Sequence, residues 1–257
     1  MSGNDVNLMT AQQSTAEPIR LAKRLAQSGL CSRKEASRLI SAGQVTVNGQ
    51  LASHIMTVSA EDHIEVAGKT LAAVKALAYW LYHKPVGIDC NNKPADPASI
   101  AQLLKQLPER VFAVGRLDKD SRGMLLLTND GAFAQRLLHP SYAHQKRYRV
   151  TLDKPIPAEI SQAFRAGIQW QVGPHHYQAK PCTAHRVGER ELEITLTEGQ
   201  HRQIRYMCRA LGFQVLDLCR IAIGSVTLGE LAAGDYRPLT TAELTQLFVL
   251  QAPEPTA

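Results

Sequence analysis

Two apolar segments that enclose a short, highly charged one constrain the fold of this chain more than any other feature. Val111–Val114 and Met124–Leu127 are wholly apolar, whereas residues 115–123 between them read GRLDKDSRG and contain five charged side chains. Glycine at both ends of the charged segment, Gly115 and Gly123, allows the backbone a sharp path. The pattern therefore predicts two buried strands joined by a polar loop at the edge of a cleft, with a charged surface turn as the alternative.

The region after residue 77 reads as short strands and helices that do not alternate strictly. In addition to the two segments above, strands are predicted at Ala78–Tyr82, Arg147–Leu152, Leu192–Leu196 and Val226–Leu228. Helices are predicted at Pro97–Gln106, Asp130–Leu138, Pro157–Ala166 and Gln203–Leu211. Because a parallel α/β sheet requires regular alternation of strands and helices, the pattern favours an α+β fold.

A compact unit of two helices and a small sheet is predicted before residue 67. The first helix ends at Ser28-Gly29. The second opens at Ser32, which forms a capping box with Glu35, and stops at Gly43. Two segments alternate like strands, and Asn48-Gly49 after the first of them is typical of a hairpin turn. These strands are predicted at Gln44–Val47 and Val58–Val66.

The chain of 257 residues is long enough for one large domain and one small one. Residues 1–18 are polar and show no periodicity, and the last residues contain two prolines, so flexible tails are expected at both ends. The predicted organisation is a tail at 1–18, a small module at 19–66, a linker at 67–77, a larger domain at 78–248 and a second tail at 249–257.

Basic side chains are concentrated in the two helices of the small module. The whole chain has a formal net charge of +6, and six basic residues stand against the single acid Glu35 between Ile19 and Gly49. Two of them occupy the first turn of the second helix, where cations oppose the helix dipole at a cost of about 0.3–1 kcal/mol each. This placement favours contact with phosphate groups over an ordinary solvated face. The predicted phosphate-contacting residues are Arg20, Lys23, Arg24, Arg33, Lys34 and Arg38.

Composition and spacing exclude several classes of protein. Five cysteines without a C-x-x-C pair argue against a disulfide framework and a structural zinc, and suit a reducing compartment. No segment approaches 18 apolar residues and no secretory signal is visible, so a cytoplasmic location without membrane contact is expected. Asp118 and Asp120 suggest a divalent metal, but no further Asp, His or Cys spacing completes a ligand set. No metal is expected, and His175-His176 is predicted to be an exposed turn.

Residues 19–49 resemble the RNA-binding module named after the fourth small-subunit ribosomal protein. They read IRLAKRLAQSGLCSRKEASRLISAGQVTVNG, and the resemblance covers nearly the whole small unit. It implies RNA binding through the surface formed by the two helices. The resemblance to this module does not by itself imply any reaction.

Four ordered motifs of the larger domain resemble those of the RsuA/RluF family of pseudouridine synthases, in which the same kind of module precedes the catalytic domain. The motifs are HKPVG at 83–87, GRLD at 115–118 followed by TNDG at 128–131, KRYRV at 146–150 and EGQHRQIR at 198–205. The resemblance covers about residues 19–248 and is strongest to the RluF branch, which acts on large-subunit ribosomal RNA. It implies a mixed, largely antiparallel twisted sheet and the isomerisation of a specific uridine to pseudouridine.

The same resemblance assigns roles to residues of these motifs. Asp118 is implied to be the catalytic carboxylate, and Arg205 its partner, because a nearby cation lowers the pKa of a carboxylate and keeps it ionised. Tyr148 is implied to stack beneath the flipped uracil, and its hydroxyl can serve as an acid or a base. Ile204 is implied to pack against the ring, and Arg116 to contact the substrate backbone or fill the gap left by the extruded base.

Lys84, Arg202 and Gln203 belong to the same motifs and are also assigned to substrate binding. The reaction is an isomerisation without redox change, so no nucleotide, metal or flavin cofactor is expected. The expected partner is ribosomal RNA, free or within a subunit precursor, with transfer RNA as a further candidate, and the protein is expected to be a monomer.

Two other functions fit parts of the pattern. A non-catalytic RNA-binding ribosome assembly factor would keep the fold without the chemistry, but such a binder has no need of an acid in an RNA cleft. An RNA glycosidase that used Asp118 and Asp120 would release free uracil, whereas a synthase retains the base. Whether the carboxylate adds to the base, adds to the sugar or takes a sugar proton stays open at this point.

Overall fold

The computed structural model describes residues 17–249, and the chain divides after Ala76 into two compact units. The tails predicted at 1–18 and 249–257 lie outside the described residues, apart from residues 17, 18 and 249. Each unit has its own buried apolar core. Within residues 17–249, none of the helices is long and apolar enough to cross a bilayer.

The small unit has two short helices and several short strands around one core. Its elements are β1 (Ile19–Arg20), α1 (Leu21–Gln27), α2 (Arg33–Ser41), β2 (Val45–Val47), β3 (Gln50–Leu51), β4 (Thr57–Val58), β5 (Ile64–Val66) and β6 (Lys69–Thr70). The predicted capping box is confirmed, because the Ser32 hydroxyl accepts from the Glu35 amide (3.2 Å) and the Glu35 carboxylate accepts from the Ser32 amide (2.7 Å). Leu21 and Leu25 of α1 pack against Ala36 and Ile40 of α2 in the core.

The sheets of the small unit confirm one turn and correct one strand. Asn48 and Gly49 both have positive φ, as the predicted hairpin turn requires, and they join β2 to β3. The single strand predicted at Val58–Val66 is wrong, because a turn separates β4 from β5. The carboxylate of Asp62 forms this turn by accepting from the Ser59 amide (2.6 Å). β6 lies inside the predicted linker 67–77 and pairs with β5.

The larger unit is a mixed sheet with helices packed against it. Its strands are β7 (Tyr79–Lys84), β8 (Phe112–Val114), β9 (Arg122–Thr128), β10 (Lys146–Leu152), β11 (Gln169–Val172), β12 (His175–Gln178), β13 (Thr183–Arg186), β14 (Glu191–Leu196), β15 (Val215–Ile223), β16 (Val226–Thr227) and β17 (Tyr236–Pro238). Its α-helices are α3 (Ala101–Leu104), α4 (Gly131–Leu138), α5 (Ile160–Ala166), α6 (Gln203–Ala210) and α7 (Thr241–Val249). The α+β fold is confirmed.

The main sheet has the strand order β13-β14-β10-β15-β9-β7-β17, with β8 on β9 and β16 on β15. All of its described pairs are antiparallel except that of β9 with β15, so the expected mixed and largely antiparallel sheet is confirmed. Successive side chains of β9 enter two different cores, Met124 and Leu126 one of them and Leu125 and Leu127 the other. A strand buried on both faces explains why this segment is uniformly apolar.

Several elements of the larger unit were not predicted from the sequence. The most important is β15, which lies between β10 and β9 in the sheet. His175-His176 is exposed as expected, but it lies in strand β12 of a hairpin and not in a turn. The helix predicted at Pro97–Gln106 is limited to α3. All five cysteines of the chain lie in the described part and are buried.

The junction of β9 and β15 requires glycine at position 123. Gly123 has φ +109°, and a Cβ there would lie 2.5 Å from the backbone nitrogen of Arg220 and would also collide with the Arg220 carbonyl. Gly123→Ala is therefore expected to lower the free energy of unfolding by about 3 kcal/mol or more, since backbone strain and overpacking each cost about 1–3 kcal/mol.

Gly234→Ala is the matched control, because Gly234 also has positive φ (+95°), but a Cβ added there would have no atom within 4 Å. Both tryptophans, Trp80 and Trp170, lie in the larger unit, so their fluorescence during guanidinium denaturation reports its unfolding. Equal denaturation midpoints for the two variants would show that the close approach of the two strands does not limit stability.

Candidate active site

The charged loop between β8 and β9 is fixed by hydrogen bonds to the segment that follows β7. The amide of Leu117 donates to Sγ of Cys90 (3.4 Å), and the Gly87 amide donates to the carbonyl of Lys119 (2.7 Å). The carbonyl of Asp118 accepts from the Ser121 amide (3.0 Å). Leu117 is buried and anchors the loop to the core, so Asp118 projects a partly exposed carboxylate from a constrained backbone.

A cavity of about 590 Å³ opens beside this loop, within the larger unit. It brings together six of the residues predicted to act on or bind the substrate, from three separate segments of the chain. They are Arg116, Asp118, Tyr148, Arg202, Gln203 and Ile204. Arg205 and Lys84 do not line it. Among residues 17–249, no group of three His, Cys, Asp or Glu side chains is placed to hold a metal ion.

Tyr148 and Ile204 form apolar walls of the cavity. Tyr148 lies on β10, opposite Ile194 of β14, and only 8% of its surface is exposed. Ile204 is the second residue of α6 and is also buried. Both belong to one core cluster, so the packing that stabilises the sheet also fixes the ring of Tyr148 at the surface of the cavity.

Arg205 is paired with Asp120, and not with Asp118 as expected. Its Nη2 donates to the backbone carbonyl of Asp120 (2.8 Å), and its Nε lies 3.4 Å from a carboxylate oxygen of the same residue. Its Nη1 donates to the carbonyl of Val215 (3.2 Å). The Asp118–Arg205 ion pair implied by the motifs is absent from the described part of the chain. The side chain of Asp120, two residues after Asp118, faces α6 and forms the ion pair with Arg205 instead.

Asp120 also forms a two-pronged ion pair with Arg202. The two terminal nitrogens of Arg202 donate to the two carboxylate oxygens at 3.0 and 2.7 Å. Burial opposes ionisation of Asp120, but the hydrogen bonds from Arg202 and the charges of Arg205 and Arg202 outweigh it and hold the pKa of this carboxyl below its usual value. Arg202 has φ +53°, a left-handed conformation that is uncommon outside glycine. Asp120 thus ties the charged loop to the start of α6.

Lys84 is a buried structural residue, which corrects its assignment to substrate binding. Its side chain is fully buried, and its ammonium donates to the carbonyls of Pro85 (2.9 Å) and Ile88 (2.8 Å). Burial lowers the pKa of Lys84, although the carboxylates of Asp118, Asp120 and Asp89 oppose that change. Lys84 therefore organises the turn after β7 and places a positive charge within electrostatic range of Asp118.

Gln203 lines the cavity but uses both ends of its amide within the protein. Its Oε1 accepts from the Gln200 amide (3.0 Å), and its Nε2 donates to Glu198 (2.6 Å). Glu198 also accepts from the amide of Lys180 (3.0 Å). Gln203 is 3% exposed, and its hydrogen bonds shape the loop before α6. The structure therefore favours a structural role for this amide over direct binding of substrate.

Some basic residues of the cavity were missed in the sequence as site residues, and two of them lie on strands of the main sheet. Lys146 and Arg220 both line the cavity, on the adjacent strands β10 and β15. Arg220 is 4% exposed, and its Nε donates to the carbonyl of Met124 (2.7 Å). The sequence signal for Arg220 was a single arginine within the apolar stretch 218–223. This signal can be used only if the stretch is first recognised as a strand.

In the small unit, the basic residues predicted to contact phosphate differ in exposure. Arg24 is only half-exposed, and its Nη2 donates to the carbonyl of Ala72 (3.3 Å). Arg20 is exposed and lies in β1, just before α1, where its Nη1 donates to the carbonyl of Ile55 (2.7 Å). The remaining four are exposed on α1 and α2: Lys23, Arg33, Lys34 and Arg38.

Comparison with known proteins gives consistent results for both units. A profile of the RNA pseudouridylate synthase family matches residues 78–210, and one of the S4 domain matches residues 19–64. The chain is 37% identical over 233 residues to the dual-specificity RNA pseudouridine synthase RluF of Salmonella typhi, covering 90% of this chain and 79% of that protein. It is 34% identical over 235 residues to the ribosomal large subunit pseudouridine synthase B of Bacillus subtilis (strain 168), covering 90% and 96% of the two chains.

A solved structure, described as a crystal structure of pseudouridylate synthase, is 33% identical and covers 89% of this chain and 99% of its own. The two structures align with a TM-score of 0.64. Sequence and structure agree over both the small module and the larger unit with its mixed sheet. This chain therefore belongs to the RNA pseudouridine synthases, in the RsuA/RluF family, whose members join an S4 domain to the catalytic domain.

Proposed function

We propose that this enzyme converts a uridine of large-subunit ribosomal RNA into pseudouridine, with Asp118 as the catalytic carboxylate. One observation carries the proposal: Asp118 projects from a hydrogen-bonded loop into the same cavity as the buried Tyr148 and Ile204. The other acid of the loop, Asp120, is engaged by two arginines. The relative from Bacillus subtilis is named for the large ribosomal subunit, which supports the class of substrate.

The chemistry requires few groups. The bond between C1′ of the ribose and N1 of uracil breaks, the base turns, and C1′ joins C5. C5 then loses its proton and N1 takes one up, so the product is an isomer of the substrate. Asp118 adds to the base or the sugar, or takes a sugar proton, and each of these roles requires an ionised carboxylate. Tyr148 stacks beneath the extruded ring, and Ile204 excludes water from its edge.

The arginines of the site support this chemistry in different ways. Arg116 is exposed at the cavity and contacts the RNA backbone or fills the gap left by the extruded base. Arg205, through its bonds to Asp120 and Val215, is a positioning residue that holds the charged loop against α6. Arg202 shares that role through its ion pair with Asp120. A loop displaced by about 1 Å would slow the reaction by about 100-fold.

The two units divide recognition and catalysis. We assign RNA binding to the module at 19–66 and catalysis to 78–248, with the segment 67–77 between them. The profile matches at 19–64 and 78–210 support this division.

The substrate is ribosomal RNA, free or within a subunit precursor, with transfer RNA as a second candidate. The enzyme acts as a monomer in the cytoplasm, where its RNA substrate lies and where the reducing environment suits five buried cysteines.

Asp118→Asn is expected to abolish pseudouridine formation while RNA affinity stays within about tenfold of the wild type. One carboxylate adds little to an interface dominated by phosphate contacts. Asp235→Asn, which removes the same charge from an exposed position, serves as the control and should retain activity. Mapping of pseudouridines in cellular RNA with and without the protein identifies the substrate for these assays.

Three outcomes of this assay separate the candidate functions. Full activity of the Asp118→Asn variant would remove this carboxylate from the mechanism. Release of free uracil by the wild type would identify a glycosidase. RNA binding by the wild type without any change in the uridines would identify a non-catalytic assembly factor.

The pair of Asp120 with Arg202 is expected to act on the rate of the reaction and not on binding. Asp120→Asn and Arg202→Gln should each lower the single-turnover rate by about 10- to 100-fold, and the double variant should be no slower than the slower single variant. The measurement is a double-mutant cycle of rate together with RNA affinity. Additive effects, or a loss of affinity confined to Arg202→Gln, would mean that Arg202 contacts the RNA directly.

The basic helix face is expected to bind phosphates. Replacing Arg33 and Lys34 together with Gln should weaken RNA binding and reduce the slope of log affinity against log salt by about two. Lys69 and Arg165 are exposed outside α1 and α2, so their joint replacement removes the same charge as a control. An unchanged slope in the Arg33/Lys34 variant would show that this face is merely solvated.

A further inference from the structure

A β-bulge places Arg220 on the same face of the sheet as Tyr148. Arg147 of β10 pairs with Ala222 of β15, but the next residue, Tyr148, pairs with Arg220, so Ile221 is left over. Residues directly opposite each other on neighbouring strands point to the same face. Without the bulge, Tyr148 would face Ile221, and Arg220 would point to the other side of the sheet.

Lys146 belongs to the same face. It lies two residues before Tyr148 on β10, and side chains two apart on a strand point the same way. Lys146, Tyr148 and Arg220 all line the cavity beside Asp118. Two cations therefore stand next to the ring proposed to stack under the uracil.

Arg220 has hydrogen-bonding capacity that the protein does not use. Its Nε is bound to the Met124 carbonyl, but among the described residues its buried Nη2 has no hydrogen-bond partner. Only 4% of the Arg220 surface is exposed, and a buried guanidinium nitrogen without an acceptor is costly. Within residues 17–249, the ammonium of Lys146 donates only to the carbonyl of His144, at 3.4 Å.

The charges of the two residues are also not balanced by the protein. In the described part of the chain, neither Arg220 nor Lys146 forms an ion pair with Asp89 or Asp118, the two acids that line the cavity. Burial and the nearby charge of Arg220 lower the pKa of Lys146. An anion between the two side chains would relieve their repulsion and satisfy the free donors.

We propose that Arg220 and Lys146 form a subsite for a phosphate group of the target nucleotide, next to Tyr148. A guanidinium and an ammonium that line one cavity from adjacent strands match the oxygens of a phosphate, and such charge-assisted bonds are about twice as strong as neutral ones. A cavity of about 590 Å³ is in the range that holds a whole nucleotide. The phosphate bound there fixes the ribose while the base turns. This inference rests on the proposed function, because it takes a uridine as the occupant.

Binding of mononucleotides tests the subsite without reference to the reaction. Uridine 5′-monophosphate, uridine 3′-monophosphate and uridine are titrated into the full-length enzyme by calorimetry. The wild type is expected to bind at least one monophosphate about 10- to 100-fold more tightly than uridine, which is the range for hydrogen bonds to charged groups. In Arg220→Gln and in Lys146→Gln this preference should fall to a few-fold or less.

Arg165→Gln, which removes an exposed charge on α5, is the control and should keep the preference. Because Arg220 also holds the Met124 carbonyl, Arg220→Gln is checked by tryptophan fluorescence; if it does not fold, Lys146→Gln decides the test. Equal affinity of the wild type for nucleoside and nucleotides, or an unchanged preference in the folded variants, overturns the subsite.

This test is independent of the assignment of Asp118. Loss of the monophosphate preference in the variants supports the subsite even if Asp118→Asn stays active in the modification assay. Conversely, an inactive Asp118→Asn variant with no monophosphate preference in the wild type would retain the proposed function and reject the subsite.

Discussion

The close approach of β9 and β15 at Gly123 is the constraint on which the active site depends. β15 lies between β10, which holds Tyr148, and β9, which follows the loop that holds Asp118. Tyr148 and Asp118 therefore meet at one cavity only if β15 pairs with β9. The pairing is parallel, and the ion pair between Arg122 and Asp217 joins the two strands at one side of Gly123, with bonds of 2.9 and 2.8 Å. Arg220, the residue opposite Gly123, adds a bond to Met124. One glycine and two arginines thus align the halves of the sheet.

The two acids of the charged loop show how environment divides chemical roles between similar side chains. Asp120 is engaged by Arg202 and Arg205, which keep it ionised and fixed, whereas Asp118 has no ion pair among residues 17–249. A carboxylate held between two guanidinium groups is a poor nucleophile or base, because proton uptake or covalent bond formation would break both pairs. The free carboxylate is the one able to react. Arg205 bonds to the backbone carbonyl and the carboxylate of Asp120, which differs from the direct pairing with Asp118 that the motif suggested.

Much of the fold was predictable because it depends on local interactions. The capping box of Ser32 and Glu35 and the Asn48-Gly49 turn each have their cause within a few residues of sequence. The segment of β9 is buried on both faces by distant parts of the chain, but its four consecutive apolar residues are visible in the sequence. β15 was missed because Asp217 and Arg220 interrupt its apolar pattern, and their partners, Arg122 and the Met124 carbonyl, are about 95 residues away in sequence. The burial of Lys84, and the pairing of Arg205 with Asp120 instead of Asp118, also depend on packing between distant segments. A sequence motif carries no information about such packing.

The cations around the cavity fall into two groups according to how the protein neutralises them. Arg202 and Arg205 are matched by Asp120, and the ammonium of Lys84 is solvated by two backbone carbonyls. Among the described residues, Arg220 and Lys146 have no carboxylate partner and only one carbonyl acceptor each, so their positive charges at the cavity are the least compensated of these five. RNA brings negative charge close to the carboxylate of Asp118, and this carboxylate by itself would repel the substrate. The cations Lys146 of β10 and Arg220 of β15 offset this repulsion, so that one cavity can admit a polyanion beside an acid.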